Sequence, residues 1–292
     1  MVKKTVSHSE AESFLHCERQ HYYGYGLEIQ PLHQSDALSR GTLGHACLEV
    51  FFKHLLNVDQ HDIAGAQTAV WEFLKPQYAV QPILASEVTQ CLTFFFQAYP
   101  FMGWAVIGVE YDAVLEVTDD IAVPFVVDLI IRDIAGKVWA IDHKFVYDFI
   151  NETQADLMPQ LAKYAVGLKM LGIHVDNFAY SCLRYRSMKD NNAENRYRFQ
   201  PFVISNARQM QTLREQALIA QRIQRYKAMP IEQWSYEAVR ANDKKVCQMC
   251  SFRSLCIAEL NDSQPNLVLN NFYKKRQRRD WKAEETKEET EE

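Results

Sequence analysis

Two aspartates and a lysine are spaced so that one β-hairpin would bring them together. Two short β-branched runs, which are typical of strands, flank a turn that contains Gly136, where a positive φ is expected. A hairpin symmetric about Ala135 places Asp128 directly opposite Asp142, with Cβ atoms about 4.5–5.5 Å apart. Because side chains alternate along a strand, Lys144 lies on the same face as Asp142. The sequence therefore predicts a patch of two carboxylates and one ammonium.

Two carboxylates that face each other across a strand pair repel, and a divalent cation between them removes that cost. Oxygen ligands at this spacing suit Mg²⁺ or Mn²⁺. A lysine beside the ion can orient or deprotonate a water, or stabilise charge that develops on a phosphate. The chemistry indicated is metal-assisted attack of water on a phosphodiester. The alternative is a surface hairpin in which an aspartate and the lysine form an ordinary ion pair.

A second group of reactive side chains lies near the other end of the sequence. Cys247 and Cys250 form a CxxC, and Cys256 follows after five residues. Three cysteines in ten residues are typical of a zinc or iron–sulfur site and not of core packing. A fourth ligand is needed, and the cysteines that remain are Cys17, Cys47, Cys91 and Cys182.

The composition is that of an ordinary globular protein. The 292 residues are 48% hydrophobic and 24% charged, which allows one large domain or two modest ones. The net charge of −5 predicts no overall basic surface, so nucleic-acid binding would need a local patch. No apolar run is long enough for a membrane span, no signal-peptide core is present, and the seven cysteines do not fit a secreted disulfide framework. We expect a cytoplasmic protein with no membrane partner.

Hydrophobic periodicity predicts the elements that position these residues. Helices are expected from residue 9, from residue 40, and over 62–78, 85–99, 156–171 and 206–229, with strands within 104–144 and over 178–184 and 197–204. This order favours an α/β fold with a mixed sheet flanked by helices. The charged segment 266–292 is expected to be a disordered tail. Its basic run, 274–279, is either a DNA-binding arm or a solvated segment with no role.

With these motifs in their order along the chain, the sequence resembles the PD-(D/E)XK nuclease superfamily. It is most similar to the RecB-like branch that carries an iron–sulfur cluster, which includes AddB-type nucleases and the CRISPR-associated iron–sulfur exonucleases. The matching residues span most of the chain and are Ser9 to Tyr23 with Cys17, Gly44-His45, Asp128, Asp142-His143-Lys144, Gln160, Tyr164, Cys247, Cys250 and Cys256. Glu110 is placed like an acidic residue that some members carry upstream of the motif aspartate, and Glu116 and Asp112 are the alternatives.

The resemblance implies a fold and a domain organisation. The fold would be an α/β PD-(D/E)XK nuclease core, with a central mixed β-sheet flanked by helices. An iron–sulfur cluster would join the N- and C-terminal helical parts. Residues 1–265 would form one nuclease domain, consisting of a mainly helical part over 1–103, a catalytic sheet core over 104–205, and the last helix with the cysteine cluster over 206–265.

The resemblance also implies roles for the site residues. The metal ligands would be His45, Asp128, Asp142 and the backbone carbonyl of His143, around Mg²⁺ or Mn²⁺. Lys144 would position the attacking water or take its proton. Gln160 and Tyr164 lie one helical turn apart and would line the site, where they would contact the DNA backbone or groups around the metal.

The cysteines would form a separate structural site. Cys17, Cys247, Cys250 and Cys256 would bind one [4Fe–4S] cluster, although four thiolates could equally hold Zn²⁺. The other three cysteines are expected to be buried thiols. The function expected is a metal-dependent DNA nuclease, an exonuclease of DNA recombination, repair or processing that could act with a recombination or CRISPR protein. The alternatives are a catalytically silent DNA-binding scaffold of the same fold and a zinc-stapled interaction module.

Overall fold

The structure is a computed structural model that describes residues 3–33 and 35–276. The helices of these residues, in chain order, are α1 (His8–His16), α2 (Glu18–His21), α3 (Asp36–Asn57), α4 (Ile63–Val80), α5 (Pro82–Ala98), α6 (Glu152–Leu157), α7 (Gln160–Met170), α8 (Ala193–Arg196), α9 (Asn206–Lys227), α10 (Ile231–Glu237), α11 (Lys244–Met249), α12 (Arg253–Leu260) and α13 (Pro265–Phe272). The strands are β1 (Lys4–Thr5), β2 (Ile29–Pro31), β3 (Ala105–Glu116), β4 (Ile121–Arg132), β5 (Val138–Val146), β6 (Asn177–Arg184), β7 (Tyr197–Phe202) and β8 (Tyr273–Lys275). A π-helix, Tyr22–Gly26, continues α2.

The chain divides into two compact units where the sequence analysis expected one domain over 1–265. Unit 1 comprises Met1–His8 and Ser35–Gln224, and unit 2 comprises Ser9–Gln34 and Arg225–Glu292. Hydrophobic periodicity locates the elements but not which distant segments pack together, so this division could not be derived from the sequence pattern. None of the helices described is long and apolar enough to cross a membrane.

A six-stranded mixed sheet forms the centre of unit 1. Strands β4, β5, β6 and β7 follow one another in that order, and both β1 and β3 also pair with β4. The β1–β4 and β5–β6 pairs are parallel, and the others are antiparallel. The α/β class with a mixed sheet and flanking helices is therefore confirmed.

The β4–β5 hairpin has the register that the turn predicts. Leu129 pairs with Ile141, and the pairing is symmetric about Ala135. This register puts Asp128 and Asp142 at opposing positions, one step beyond the last paired residues. The two strands part at this point, so the backbone groups there are available to side chains.

The core of unit 1 lies between one face of this sheet and helices α3, α4 and α5. Phe51, Phe52 and Phe95 are fully buried there against Leu129 and Ile141 of the sheet. Cys47, Cys91 and Cys182 are also fully buried, as expected. Burial raises the pKa of Cys47 and Cys182 to about 12 and that of Cys91 to about 11, so these thiols stay protonated.

The predicted helix over 156–171 is two helices, α6 and α7. Pro159 separates them, because proline lacks a backbone N–H and disfavours helical backbone in the residue before it. Met158 accordingly has ψ 124°. Because of this break, α7 is a separate helix that begins at Gln160.

Unit 2 is built from two segments that are far apart in the sequence. Its apolar cluster includes Tyr23, Trp234 and Phe252, and the antiparallel β2–β8 pair adds a small second sheet. The buried Arg19 donates to the backbone carbonyl of Ser235 at 2.5 Å and forms an ion pair with Glu259. The two segments therefore share both a core and a polar network.

The expectation of disorder from residue 266 is wrong for the part that the structure describes. Residues 265–275 form α13 and β8. Tyr273 anchors this segment, because its ring is buried and stacks on Phe252 with centroids 5.5 Å apart. One such aromatic side chain supplies enough buried area to hold a short segment that is otherwise polar. The remainder, 277–292, lies outside the described residues.

Candidate active site

The first part of the site is a group of three potential metal ligands, His45, Glu110 and Asp128. One side-chain atom from each residue lies within 4.8 Å of the others. Glu110 enters the group because β3 pairs with β4 in a register that sets it opposite Asp128. Its φ of +48° is a strained conformation for a residue with a side chain. Of the three acidic residues that the sequence left open, the structure brings Glu110 to this group.

Helix α3 brings His45 to the sheet because the residue before it is glycine. A Cβ at Gly44 would lie 2.2 Å from the Phe145 ring of β5, so only glycine permits this approach. His45 Nδ1 then lies 3.3 Å from Asp128 Oδ2. Burial lowers the pKa of His45, which favours the neutral imidazole that can bind a metal.

Asp128 occupies the point where β4 and β5 part. Its Oδ2 accepts a hydrogen bond from the backbone N–H of His143 at 2.8 Å. Burial, and then the neighbouring charge of Asp142, raise the pKa of Asp128 well above its usual value. A bound divalent cation would offset this cost of a buried negative charge.

The second part of the site is a closed network on the α7 side. Lys144 Nζ donates to Gln160 Oε1 at 2.6 Å, and Gln160 Nε2 donates to the Tyr164 hydroxyl at 3.0 Å. Tyr164 donates to Asp142 Oδ1 at 3.0 Å, and Asp142 Oδ2 lies 2.7 Å from Lys144 Nζ. The four side chains thus form a closed ring of polar contacts, and one of its members, the Asp142 carboxylate, is fully buried.

The packing of α7 fixes this network. A Cβ at Gly167 would lie 2.3 Å from the Phe125 ring, so α7 approaches β4 closely at this point. Tyr164 stacks on the same ring, with centroids 5.7 Å apart. Burial and the nearby charges of Asp142 and Asp128 raise the pKa of Tyr164 well above its usual value, so its hydroxyl remains a donor.

Two of the predicted ligands, His45 and Asp128, lie in the three-ligand group, with Glu110 as the third member. Asp142 contacts Tyr164 and Lys144. Metal binding by Asp142 and by the backbone carbonyl of His143 stays a prediction. The His143 ring lies on the opposite face of the sheet, where it stacks on Phe52 with centroids 5.5 Å apart, as the alternation of side chains predicts.

Sequence reasoning missed two residues beside this site. Lys163 is only 2% exposed, and its Nζ lies 2.5 Å from His8 Nδ1. Burial, followed by the charges of Lys163 and Lys144, lowers the pKa of His8 to about 3. The imidazole is therefore neutral, and its Nδ1 accepts from the ammonium. The available signal was a lysine within the apolar run of α7, which ordinary surface lysines do not show.

The cysteine site belongs to unit 2. Cys17, which lies between α1 and α2, lines one cavity together with Cys247, Cys250 and Cys256. Burial, and then the charges of the other three cysteines, raise the pKa of Cys250, so the four sulfurs are close enough to interact. Arg240 Nε lies 3.2 Å from Cys256 Sγ and donates to it. The structure thus brings together the four cysteines that the resemblance grouped.

Comparisons with known proteins identify the family and a shared fold. Residues 5–257 match the family model of the PD-(D/E)XK nuclease superfamily. The crystal structure of a candidate exonuclease from Eubacterium rectale is 12% identical, with a TM-score of 0.51 over 83% of this chain and 87% of that one, which shows a shared fold. The structure of SSO0001 is also 12% identical and covers 73% of this chain and 84% of its own, with a TM-score of 0.34 that supports no argument. No curated protein matches the sequence.

The family match covers most of the chain and includes the whole hairpin with its two aspartates and lysine. It also covers α3, which carries His45, and α7, which carries the Gln160–Tyr164 pair. The match and the mixed sheet therefore lead to one conclusion: this chain belongs to the PD-(D/E)XK nuclease superfamily.

Proposed function

We propose that this protein is a Mg²⁺- or Mn²⁺-dependent deoxyribonuclease that acts as an exonuclease in DNA recombination, repair or processing. The observation that carries the proposal is that the β4–β5 hairpin joins the two parts of the site, since it supplies Asp128 to the His45–Glu110–Asp128 group and Asp142 and Lys144 to the network with α7. The similar fold of a protein described as a candidate exonuclease supports the choice of an exonuclease over an endonuclease.

The three-ligand group fits a hard divalent cation. Two carboxylates and one imidazole at this spacing are the donors that Mg²⁺ and Mn²⁺ accept, and Asp128 is a largely buried carboxylate, with 11% of its side chain exposed, whose charge needs compensation. When bound, such an ion polarises a phosphate oxygen and makes water a stronger nucleophile.

The protein's own side chains supply the proton handling. Gln160 and Asp142 fix the ammonium of Lys144, which can orient the attacking water or, after loss of its own proton, accept one from it. The water oxygen forms a bond to phosphorus as the bond to the leaving nucleotide oxygen breaks. Tyr164 donates to Asp142 Oδ1 and so holds that carboxylate in place beside the lysine. This complete set favours an active enzyme over a DNA-binding scaffold.

For the cysteine site we propose a [4Fe–4S] cluster, which would assign the protein to the RecB-like iron–sulfur branch. The four cysteines line one cavity in unit 2, and four thiolates are the ligand set of a [4Fe–4S] cluster. Four thiolates are also a ligand set for Zn²⁺, so iron content and colour distinguish the two.

The test is anaerobic purification followed by incubation with end-labelled linear DNA and covalently closed circular DNA in Mn²⁺. We expect a brown, iron-containing protein that degrades linear DNA and spares circles. Lys144→Ala should be inactive while it stays folded and binds Mn²⁺. Lys137→Ala, which changes an exposed lysine just before β5, is the matched control and should be fully active.

Three results would contradict parts of this proposal separately. Wild-type cleavage rates in Lys144→Ala would show that the site is misassigned. Equal cleavage of circles would leave a nuclease but exclude a strict exonuclease. A colourless protein that contains zinc would exclude the iron–sulfur cluster without affecting the nuclease.

A further inference from the structure

Unit 1 carries an unusual concentration of arginines and aromatic rings where β5 and β6 end. We call the set Tyr147, Phe149, Arg184, Arg186 and Arg198 the arginine–aromatic surface. The two strands are parallel neighbours and end side by side, since Val146 pairs with Arg184. Tyr147 follows the lysine of the catalytic network by three residues, about 10 Å along an extended strand. The surface thus begins within three residues of the catalytic lysine, at the end of the same strand.

The guanidinium groups of this surface are stacked on aromatic rings. The guanidinium carbons of Arg184 and Arg198 lie 3.8 and 4.3 Å from the centroid of the same ring, that of Phe149. The guanidinium carbon of Arg186 lies 5.1 Å from the centroid of Tyr147. Stacking fixes the planes of these groups while their N–H edges remain able to bind an anion.

Positive charge on the surface exceeds the negative charge beside it. The segment 184–198 contains five basic and two acidic residues, in a chain whose net charge is −5. Arg186 Nη1 donates to both carboxylate oxygens of Asp148, Oδ1 at 3.0 Å and Oδ2 at 3.2 Å. Burial lowers the pKa of Arg184, and despite the opposing effect of Asp148 the charges of Arg198 and Arg186 lower it further. The arginines therefore lie close enough to repel one another, and a polyanion would relieve that repulsion.

The aromatic part of the surface is open to solvent. The side chain of Tyr147 is 54% exposed, and its ring contacts Tyr185 with centroids 5.8 Å apart. The guanidinium carbon of Arg40 lies 4.0 Å from the centroid of the Tyr185 ring. An exposed ring beside guanidinium groups is the arrangement on which unpaired bases stack. Bases in a duplex are already stacked on each other and cannot use it.

We propose that the arginine–aromatic surface binds the single-stranded part of the polynucleotide substrate, with phosphates on Arg186 and Arg198 and a base on Tyr147. The proposal rests on the nuclease function proposed above and names the form of nucleic acid that the enzyme takes. The bound strand would lie next to Lys144, so binding and cleavage would act on the same unpaired segment.

The experiment measures binding without cleavage. Fluorescence anisotropy in Ca²⁺ compares a labelled oligothymidylate with a duplex of the same length, for the full chain and for Tyr147→Ala, Arg186→Gln and Arg198→Gln. The matched controls are Arg132→Gln, an exposed arginine at the turn end of β4, and Tyr236→Ala, whose tyrosine is 92% exposed in unit 2. Far-UV circular dichroism verifies that each variant is folded.

We expect Tyr147→Ala to weaken single-strand binding about tenfold, as loss of one stacked base predicts, with little change for duplex. Each arginine variant should weaken single-strand binding and make the dependence of log affinity on log salt shallower by about one unit. Both controls should bind like the wild type.

Two outcomes would overturn the inference while the nuclease function stands. One is single-strand affinity that is unchanged in all three variants of a protein that cleaves DNA. The other is an equal loss for single strand and duplex in Tyr147→Ala, which would mean that the ring does not contact an unpaired base. A wild-type protein that neither binds nor cleaves DNA would instead refute the proposed function itself.

Discussion

The two candidate sites differ in how much of their geometry the fold supplies. In unit 1 the lysine, the glutamine, the tyrosine and the buried aspartate hold one another in a closed network, and two glycines fix the helices around them. In unit 2 the cysteines lie on short helices or between them, and Cys247 is exposed. We expect the nuclease site to be rigid before it binds anything and the cysteine site to depend on the proposed cluster. The following predictions test that contrast, from the largest expected effect to the smallest.

Replacing a ligand of the proposed cluster should have the largest effect, and it should be confined to unit 2. Cys250→Ser is expected to lose its iron and colour, and with them several kcal/mol of stability, because binding free energy at such sites is folding free energy. Hydrogen exchange should show unit 2 amides losing protection while those of the unit 1 sheet keep theirs. Cys91→Ala, in the core of unit 1, is the control and should keep its iron. Full iron content in Cys250→Ser would contradict the assignment.

Neutralising Asp128 should separate activity from stability. Its folded-state pKa is raised, so the ionised carboxylate destabilises the metal-free protein at neutral pH. Asp128→Asn should therefore reduce cleavage at least about a hundredfold and yet raise metal-free stability by about 1 kcal/mol. The gain should shrink as the pH falls and the native carboxyl becomes protonated. Urea denaturation in EDTA and a cleavage assay in Mn²⁺ measure the two effects, and a variant that is both inactive and less stable would argue against this account.

The close approach of α3 to β5 can be tested by adding one methyl group. Gly44→Ala should cost about 2 kcal/mol, since its Cβ would collide with the Phe145 ring. The control lies in the same helix: a Cβ at Gly41 meets nothing within 4 Å, so Gly41→Ala should stabilise the protein by about 0.5 kcal/mol. Thermal unfolding of both variants decides the question. Equal changes in stability for the two variants would mean that α3 does not approach β5 closely at Gly44.

Unit 2 should show a smaller, pH-dependent effect at a buried carboxylate. Glu10 is 4% exposed and is bonded to His21 and Lys227, which lower its pKa against the opposing effect of burial. Stability from a lowered pKa is present above the unfolded value, about 4.3, and is lost as the pH falls through the folded value. Glu10→Gln should cost about 1 kcal/mol at pH 7 and almost nothing in strong acid. Glu12→Gln on the same helix is exposed and serves as the control; a cost that persists in acid would exclude the ion pair as its source.

Much of the fold and part of the site could be predicted from local pattern. The turn around Ala135 sets the hairpin register, and alternation then orients Asp128, Asp142 and Lys144, because these relations span few residues. Glu110 could not be placed the same way, since its position depends on how a separate strand with an irregular register pairs with β4. The apolar run around Lys163 could mark that lysine as buried, but its contact with His8 spans 155 residues and no local pattern identifies the partner.

The order of the two units along the chain has a consequence for synthesis. The first segment of unit 2, with Cys17, leaves the ribosome before the main segment of unit 1, Ser35–Gln224, and Cys247 follows 230 residues after Cys17. At 5–20 residues per second this delay is roughly 10 to 45 s. Unit 1 is complete once Gln224 has been added, before synthesis of the second segment of unit 2 begins at Arg225, whereas the first segment must wait for its core partners around Trp234 and Phe252. Completion of unit 2 is thus a late step of biogenesis, and during the delay Cys17 is a free thiol open to oxidation or to mispairing.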